Sequence, residues 1–213
     1  MITLVINGKE IGAKEEQTIL EAARKVDIHI PTLCYHEAVN ASGACRFCSV
    51  EITTKRGRSR LVVSCLYPVE EGLIVKTHSE KVLRLRRGIL ELLLSRCPSV
   101  TKLQELAKEL KMNQPRFKLG EETCILCGLC VRVCEEIAGV SAISAVNRGT
   151  KKEIATPFFK SSQVCIGCGG CAYVCPTHAI RIENNQIKLG SKVFKDLSAE
   201  ASQKVMETLR SQS

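Results

Sequence analysis

The sequence predicts an α+β protein in which two small cysteine-containing domains are joined by a helical connector. Three observations lead to this prediction. Strand and turn signals fill residues 1–79, apolar residues follow at helical spacing over residues 80–111, and the 13 cysteines form three groups of four with one left over. With 213 residues and 45% hydrophobic content, the chain has the length and composition of one or two folded domains.

The N-terminal domain begins with a hairpin signal and a helix signal. Asn7-Gly8 separates two short β-prone runs, which is the strongest short-range signal for a β-hairpin. Thr18 followed by Glu21 forms a capping-box pattern at the start of an apolar-periodic helix. Two further strands are predicted at residues 49–53 and 60–64. A hairpin, a crossing helix and further strands together predict a β-grasp arrangement.

The connector, residues 80–118, is predicted to contain two helices. A broad apolar face marks the first helix, Pro98 ends it, and Ser99 is a candidate cap for the second. Between residues 84 and 118 the chain has nine Lys or Arg and three Glu. A solvated face is the favoured interpretation of this basic segment, and a docking surface for an acidic partner is the second.

Residues 119–186 contain the strongest motif, the spacing C-x2-C-x2-C-x3-C, which occurs twice. This is the bacterial ferredoxin run, in which the fourth cysteine of each run ligates the other [4Fe-4S] cluster. The predicted ligands are therefore Cys124, Cys127, Cys130 and Cys175 for one cluster, and Cys134, Cys165, Cys168 and Cys171 for the other. Pro176 follows the second run as the pattern requires, whereas Glu135 follows the first. Zinc is the alternative, but zinc sites usually pair two distant C-x2-C motifs.

The first cysteine group has the spacing C-x10-C-x2-C-x16-C and consists of Cys34, Cys45, Cys48 and Cys65. Plant-type [2Fe-2S] ferredoxins use C-x4-C-x2-C and a distant fourth cysteine on a β-grasp fold. The close pair and the distant fourth cysteine match this pattern, although the first gap is longer. The group is therefore predicted to bind a [2Fe-2S] cluster, with zinc or buried thiols as the alternatives.

Several functional classes lack their sequence signals. The N-terminus has no signal-peptide pattern, so a secreted disulfide scaffold is disfavoured and a cytoplasmic location is expected. No membrane span is expected, and dinucleotide, P-loop and hydrolase fingerprints are absent, so no catalytic residue is assigned. The formal charge of +9 would fall once thiolates bind clusters, so no nucleic-acid partner is expected, and a zinc-stabilised nucleic-acid module is the least favoured hypothesis.

The chain resembles the N-terminal iron–sulfur region shared by the large iron–sulfur subunit of bacterial NADH:quinone oxidoreductase, iron-only hydrogenases and the small diaphorase subunit of bidirectional hydrogenases. The matching segments are Ile30-Pro31-Thr32-Leu33-Cys34, Cys45-Arg46-Phe47-Cys48, Leu90-Glu91-Leu92-Leu93-Leu94, Cys130-Val131-Arg132-Val133-Cys134-Glu135 and Cys175-Pro176-Thr177.

This resemblance implies an electron-relay subunit that carries one [2Fe-2S] and two [4Fe-4S] clusters. The implied setting is a cytoplasmic NADH-linked oxidoreductase of the hydrogenase, formate dehydrogenase or electron-bifurcating transhydrogenase type. Its implied partners are a flavin-containing NADH-oxidising subunit and a further redox subunit. A freely diffusing ferredoxin-like carrier is the alternative.

Cys97 marks a departure from that family. The family usually holds an extra [4Fe-4S] cluster between its two ferredoxin-like parts through one His and three Cys, and the His follows the Leu-Glu-Leu-Leu-Leu stretch. This chain has Cys97 there and no further cysteine before Cys124. The extra cluster is therefore predicted to be absent, and Cys97 to be a buried or inert thiol. The tail, residues 187–213, is predicted to form a helix that packs on its own chain or on a partner.

Overall fold

The computed structural model describes residues 1–197, and these form two compact units. The first unit consists of residues 1–35 and 41–120, and the second consists of residues 36–40 and 121–197. Each unit has its own buried apolar core. Among the described residues, no helix combines the length and the apolar character needed to cross a membrane.

A five-stranded mixed sheet forms the basis of the first unit. Its strands are β1 (Ile2–Ile6), β2 (Lys9–Ala13), β3 (Ser49–Thr53), β4 (Ser59–Val63) and β5 (Ile74–Lys76). They lie in the order β2-β1-β5-β3-β4, with β1 and β5 parallel and the other neighbouring pairs antiparallel. The helix α1 (Ile19–Lys25) follows the first hairpin and buries its apolar face in the same core. The predicted β-grasp arrangement is confirmed.

The two segments near the start of the chain that carry local sequence signals, the hairpin turn and the capping box, adopt the predicted structures. Asn7 and Gly8 both have positive φ, 52° and 83°, which is the backbone of a type I′ turn between β1 and β2. The Thr18 hydroxyl accepts a hydrogen bond from the Glu21 N–H (3.3 Å), and the Glu21 carboxylate accepts one from the Thr18 N–H (2.8 Å). This reciprocal pair is the predicted capping box, and it fixes where α1 begins.

Two helices complete the first unit, α2 (Glu80–Arg96) and α3 (Thr101–Glu109). Ser79 caps α2 by accepting a hydrogen bond from the Val82 N–H, and Cys97 ends the helix. The prediction that Ser99 caps α3 is wrong. Val100 occupies the cap position, and its side chain has no hydroxyl with which to accept a backbone N–H. The predicted connector therefore folds into the first unit, where α2 packs against β3.

The second unit combines short helical turns with two small sheets. Its elements are α4 (Leu129–Arg132), a π-helical turn (Val133–Ile137), β6 (Ser144–Val146), β7 (Glu153–Ala155), α5 (Gly170–Tyr173), β8 (Ile180–Glu183), β9 (Gln186–Leu189) and β10 (Lys192–Asp196). Strands β6 and β7 pair with each other, and β8, β9 and β10 form an antiparallel meander. The core of this unit includes Ile143, Ile154, Ile187 and Phe194 with several cysteines packed against them.

The predicted tail helix is wrong over its described part. Residues 186–196 form β9 and β10, and Phe194 is 2% exposed in the core of the second unit. Asn184 and Asn185 both have positive φ and make the turn between β8 and β9. The pairing of β10 with β9 and the burial of Phe194 favour a strand here. Residues 198–213 lie outside the described part of the chain.

Candidate iron–sulfur cluster sites

The first cysteine group is assembled at one end of the β3–β4 hairpin. Cys48 directly precedes β3, and Cys65 lies two residues beyond β4. Because Ser49 pairs with Val63 in the antiparallel register, these two cysteines arrive at the same end of the hairpin. The Ser64 hydroxyl holds this end together by donating to the Cys48 carbonyl (2.7 Å).

Backbone N–H groups point at the sulfur atoms of this group. The Cys45 N–H donates to Cys34 Sγ (3.3 Å), and the Phe47 N–H donates to Cys45 Sγ (3.4 Å). Arg46, between them, has a φ of 59°, which turns the loop around the sulfur atoms. N–H donors of this kind stabilise thiolate sulfur and tune the potential of a bound cluster.

The four thiols of the first group act on one another electrostatically. The hydrogen bond with Cys34, followed by burial, raises the pKa of the Cys45 thiol. The hydrogen bond with Cys48 and then burial raise the pKa of Cys65, which also feels Cys34 and Cys45. The Cys65 thiol in turn lowers the pKa of Cys48 to about 6. Cys34, Cys48 and Cys65 are all buried. Four clustered soft donors, mostly shielded from water, fit a binuclear iron–sulfur centre.

The second unit contains the other two cysteine groups on two equivalent backbone turns. Gly128 and Gly169 each have a φ of 74° and directly precede the short helices α4 and α5. These helices contain Cys130 and Cys171, respectively. Leu126 has a φ of 56° at the position that corresponds to Gly167 (φ 73°) in the second run. The sequence repeat is therefore a structural repeat as well.

Cysteines of the two runs act on one another electrostatically in the second unit. Burial raises the pKa of Cys130, and the charges of Cys127, Cys124, Cys171 and Cys175 raise it further. Burial likewise raises the pKa of Cys171 to about 12, with further contributions from Cys165, Cys168 and Cys134. Cys175 is thus an electrostatic neighbour of the first run, and Cys134 is a neighbour of the second.

One apolar pocket of the second unit is lined by four sulfur-bearing side chains, Cys134, Cys165, Cys168 and Cys171. The Ala142 N–H donates to Cys134 Sγ (3.2 Å) at its edge. A Cβ on Gly170 would lie 2.9 Å from Val133 Cγ1, so glycine lets α5 pack closely here. A pocket of thiols with apolar walls suits a cubane cluster, because thiolates bind the iron. Cys168 is exposed and the other three cysteines are partly buried.

Cys97 and the two histidines near the cysteine groups make local hydrogen bonds through their backbone or ring atoms. Cys97 is fully buried at the end of α2, where its N–H donates to the Leu93 carbonyl (2.8 Å). His36 Nδ1 accepts from the Ala38 N–H, and the His178 N–H donates to the Cys175 carbonyl. The Thr177 hydroxyl lies 3.7 Å from Cys175 Sγ. Sequence reasoning missed the Ala142 N–H, because a backbone donor leaves no trace in the side-chain pattern.

Two families match the chain in the same order as its two units. Residues 1–80 match the 2Fe-2S iron-sulfur cluster binding domain, and residues 123–179 match the 4Fe-4S dicluster domain. These matches confirm the prediction of one [2Fe-2S] and two [4Fe-4S] clusters. They also remove the zinc alternative for the three cysteine groups.

Curated relatives match most of this chain over a part of their own length. The NADP-reducing hydrogenase subunit HndD of Solidesulfovibrio fructosivorans is 36% identical over an alignment of 212 positions, and the match covers 84% of this chain and 36% of the relative. The NADPH-Fe(3+) oxidoreductase subunit alpha of Geobacter sulfurreducens is 36% identical, with 83% and 24% covered. An NADH-quinone oxidoreductase subunit of Rickettsia prowazekii is 29% identical, with 84% and 30% covered. The chain thus spans about a quarter to a third of the length of these relatives.

A solved structure matches over a larger share of its own chain. It is a crystal structure of NAD+-reducing [NiFe]-hydrogenase in the H2-reduced state. The TM-score is 0.62 at 31% sequence identity, and the match covers 73% of this chain and 74% of that one.

Proposed function

The chain belongs to the family of iron–sulfur subunits that includes a chain of NAD+-reducing hydrogenase and a subunit of NADH-quinone oxidoreductase. From this premise we propose that it relays electrons within a multi-subunit, NAD(P)H-linked oxidoreductase. The observation that carries the proposal is the pair of domain matches, a 2Fe-2S domain over residues 1–80 and a 4Fe-4S dicluster domain over residues 123–179. Iron–sulfur clusters transfer single electrons, and no side chain is needed for bond chemistry.

The proposed ligands of the [2Fe-2S] cluster are Cys34, Cys45, Cys48 and Cys65. For the [4Fe-4S] clusters they are Cys124, Cys127, Cys130 and Cys175, and Cys134, Cys165, Cys168 and Cys171. Support comes from the electrostatic effects among the cysteines of each unit and from the pocket lined by the last group. The clusters supply the redox chemistry when bound. The chain supplies thiolates, N–H donors such as those of Cys45 and Ala142, and burial.

Iron content and single cysteine variants test the ligand assignment. The full chain, purified without oxygen, should contain about ten iron and ten acid-labile sulfide atoms. Cys65→Ser should lose the [2Fe-2S] signal in electron paramagnetic resonance (EPR) and keep both [4Fe-4S] signals. Cys97→Ser is the matched control, because it removes a buried thiol outside the proposed groups, and it should retain all of the iron. Loss of iron from the Cys97 variant, or full iron in the Cys65 variant, would contradict the assignment.

We further propose a flavin-containing, NADH-oxidising partner subunit, a second redox partner and a cytoplasmic location. The names of the relatives support a place in a complex, since they describe subunits of hydrogenases and of NADPH- and NADH-linked oxidoreductases. This favours a stable subunit over the alternative of a freely diffusing carrier.

Co-purification tests the partners. The natively expressed chain, carrying an affinity tag, should be recovered with a flavoprotein, and the recovered complex should reduce a dye with NADH or NADPH. Recovery of the chain alone as a monodisperse species at native expression would instead support the carrier.

A further inference from the structure

Arg86 is a charged side chain in the interior of the first unit. It is 1% exposed, and every other polar side chain that is buried in the described residues is a Ser or a Thr. It lies on α2 in a buried stripe with Val82, Leu90 and Leu94, each one helical turn from the next. Burying a charge in such a stripe is unfavourable unless an opposite charge lies close by.

The contacts of Arg86 converge on one of the proposed [2Fe-2S] ligands. Its Nε donates to the Phe47 carbonyl (3.1 Å), and its Nη2 donates to the Ser49 carbonyl (3.0 Å). These two carbonyls belong to the residues on either side of Cys48. Neither carbonyl carries a formal charge, so these hydrogen bonds position the guanidinium without neutralising it.

The Arg86 guanidinium stays charged. Burial lowers its pKa to about 10, which still lies well above neutral pH, so the side chain remains a cation. Four thiolates around an oxidised [2Fe-2S] core of about +2 give the bound centre a charge of about −2, and one electron makes it about −3.

We propose that Arg86 is a positioning residue that clamps the Cys48 segment and provides the buried counter-charge of the [2Fe-2S] cluster, thereby raising the reduction potential of that cluster. The inference rests on the ligand set proposed above. On reduction one ferric ion becomes ferrous, and no bond is made or broken and no proton moves. Because the reduced centre is more negative, the Arg86 cation stabilises it more than the oxidised centre.

A redox titration of the full, cluster-loaded chain tests this role. The [2Fe-2S] EPR signal is followed during stepwise reduction with dithionite, at a temperature where the faster-relaxing [4Fe-4S] signals are broadened. Arg86→Gln keeps hydrogen-bond donors and removes the charge. We expect its reduced form to be disfavoured at least tenfold, which lowers the potential by about 59 mV for one electron. Arg86→Lys keeps the charge and should stay close to the wild type.

Arg84→Gln is the matched control, since Arg84 is an exposed cation on the same helix and its charge is screened by water. Its potential should equal that of the wild type. Equal potentials for Arg86→Gln and Arg84→Gln would overturn the inference, as would an Arg86→Lys potential as low as that of Arg86→Gln. If Arg86→Gln fails to hold the cluster, Arg86→Met removes the charge in its place, and a wild-type potential in that variant overturns the inference. Absence of a [2Fe-2S] signal from the wild type would instead contradict the ligand set, which keeps the two failures distinct.

Discussion

Single residues with unusual backbone geometry surround the proposed cluster sites. Leu126 adopts a left-handed backbone conformation, and the corresponding position in the second run is a glycine, Gly167. Such a conformation costs a leucine about 1–2 kcal/mol, and it persists only where the surroundings impose it. From sequence alone the repeat predicts the cysteine positions, because their spacing is identical. It does not predict the strain at Leu126, which depends on how the loop closes around the thiols.

Two glycine-to-alanine substitutions should have opposite effects on stability. Gly170→Ala places a Cβ 2.9 Å from Val133 Cγ1, and since valine has few rotamers, we expect a loss of about 1–3 kcal/mol. Gly88→Ala lies within α2 with no atom within 4 Å of the new Cβ, so we expect a gain of about 0.5–1 kcal/mol. The measurement is the temperature at which visible cluster absorbance is lost, at one scan rate. A gain in both variants would show that the close approach of α5 is unimportant.

The ion pair between Lys81 and Glu51 should make the same contribution to stability at pH 5.5 and at pH 8. The Lys81 ammonium, followed by the Ser79 hydroxyl, lowers the pKa of Glu51 to about 2. A depressed carboxyl pKa contributes stability above the unfolded value of about 4.3, and this stability is lost as pH falls towards 2. Lys81→Met should therefore lower the thermal midpoint by the same small amount at pH 5.5 and pH 8. The expected loss is about 0.2–1 kcal/mol, since Lys81 is 67% exposed. A loss that disappears at pH 5.5 would contradict this assignment.

At the scale of secondary-structure elements, the sequence predicted correctly the elements whose start is determined by a few adjacent residues. The Asn7-Gly8 hairpin and the Thr18–Glu21 capping box formed as expected, because both are decided within four residues. The start of α3 and the strand β10 were mispredicted. In both cases tertiary packing decided the outcome: α3 begins at the buried Val100, and β10 is held by pairing with β9 and by the burial of Phe194. Arg86 was missed because an arginine within an apolar stripe is normally taken to be exposed.

Two serine-to-alanine substitutions distinguish a working helix cap from an apparent one. Ser79 accepts a hydrogen bond from the Val82 N–H at the start of α2, so Ser79→Ala should cost about 1 kcal/mol. Ser99 lies one residue before the cap of α3 and is exposed, so Ser99→Ala should change stability by less than about 0.5 kcal/mol. Denaturation of the cluster-loaded chain compares the two. Equal losses would mean that Ser99 does cap α3.

At the scale of the whole molecule, the two units depend on their cysteines to different degrees. The first unit has a core of many aliphatic residues from the sheet and α1, in which Cys48 and Cys65 are a small part. In the second unit, only a few buried apolar residues form the described core, and they pack directly against five cysteines, Cys124, Cys130, Cys134, Cys171 and Cys175. Metal binding is therefore a larger share of the folding free energy of the second unit.

Removal of the clusters should consequently unfold the second unit first. After treatment with a chelator and ferricyanide, limited trypsin digestion should cut rapidly beyond residue 120 and leave a fragment that contains the sheet of the first unit. Far-UV circular dichroism should keep part of its signal, since the sheet and α1 retain their own core and both α2 and α3 bury apolar side chains. The chain with its clusters intact is the control and should resist digestion over the same period. Uniform digestion of both units would contradict the difference between their cores.

The crossed positions of Cys134 and Cys175 have a topological consequence. With each proposed [4Fe-4S] cluster tied to both runs, the chain between residues 134 and 165 becomes a loop closed at both ends by inorganic cross-links. Cleavage within that loop, at the exposed segment of residues 148–152, would leave two polypeptides that stay associated, because each proposed cluster has ligands on both of them. The second unit would then consist of two fragments joined through both clusters, and the fragments would separate only when the metal leaves.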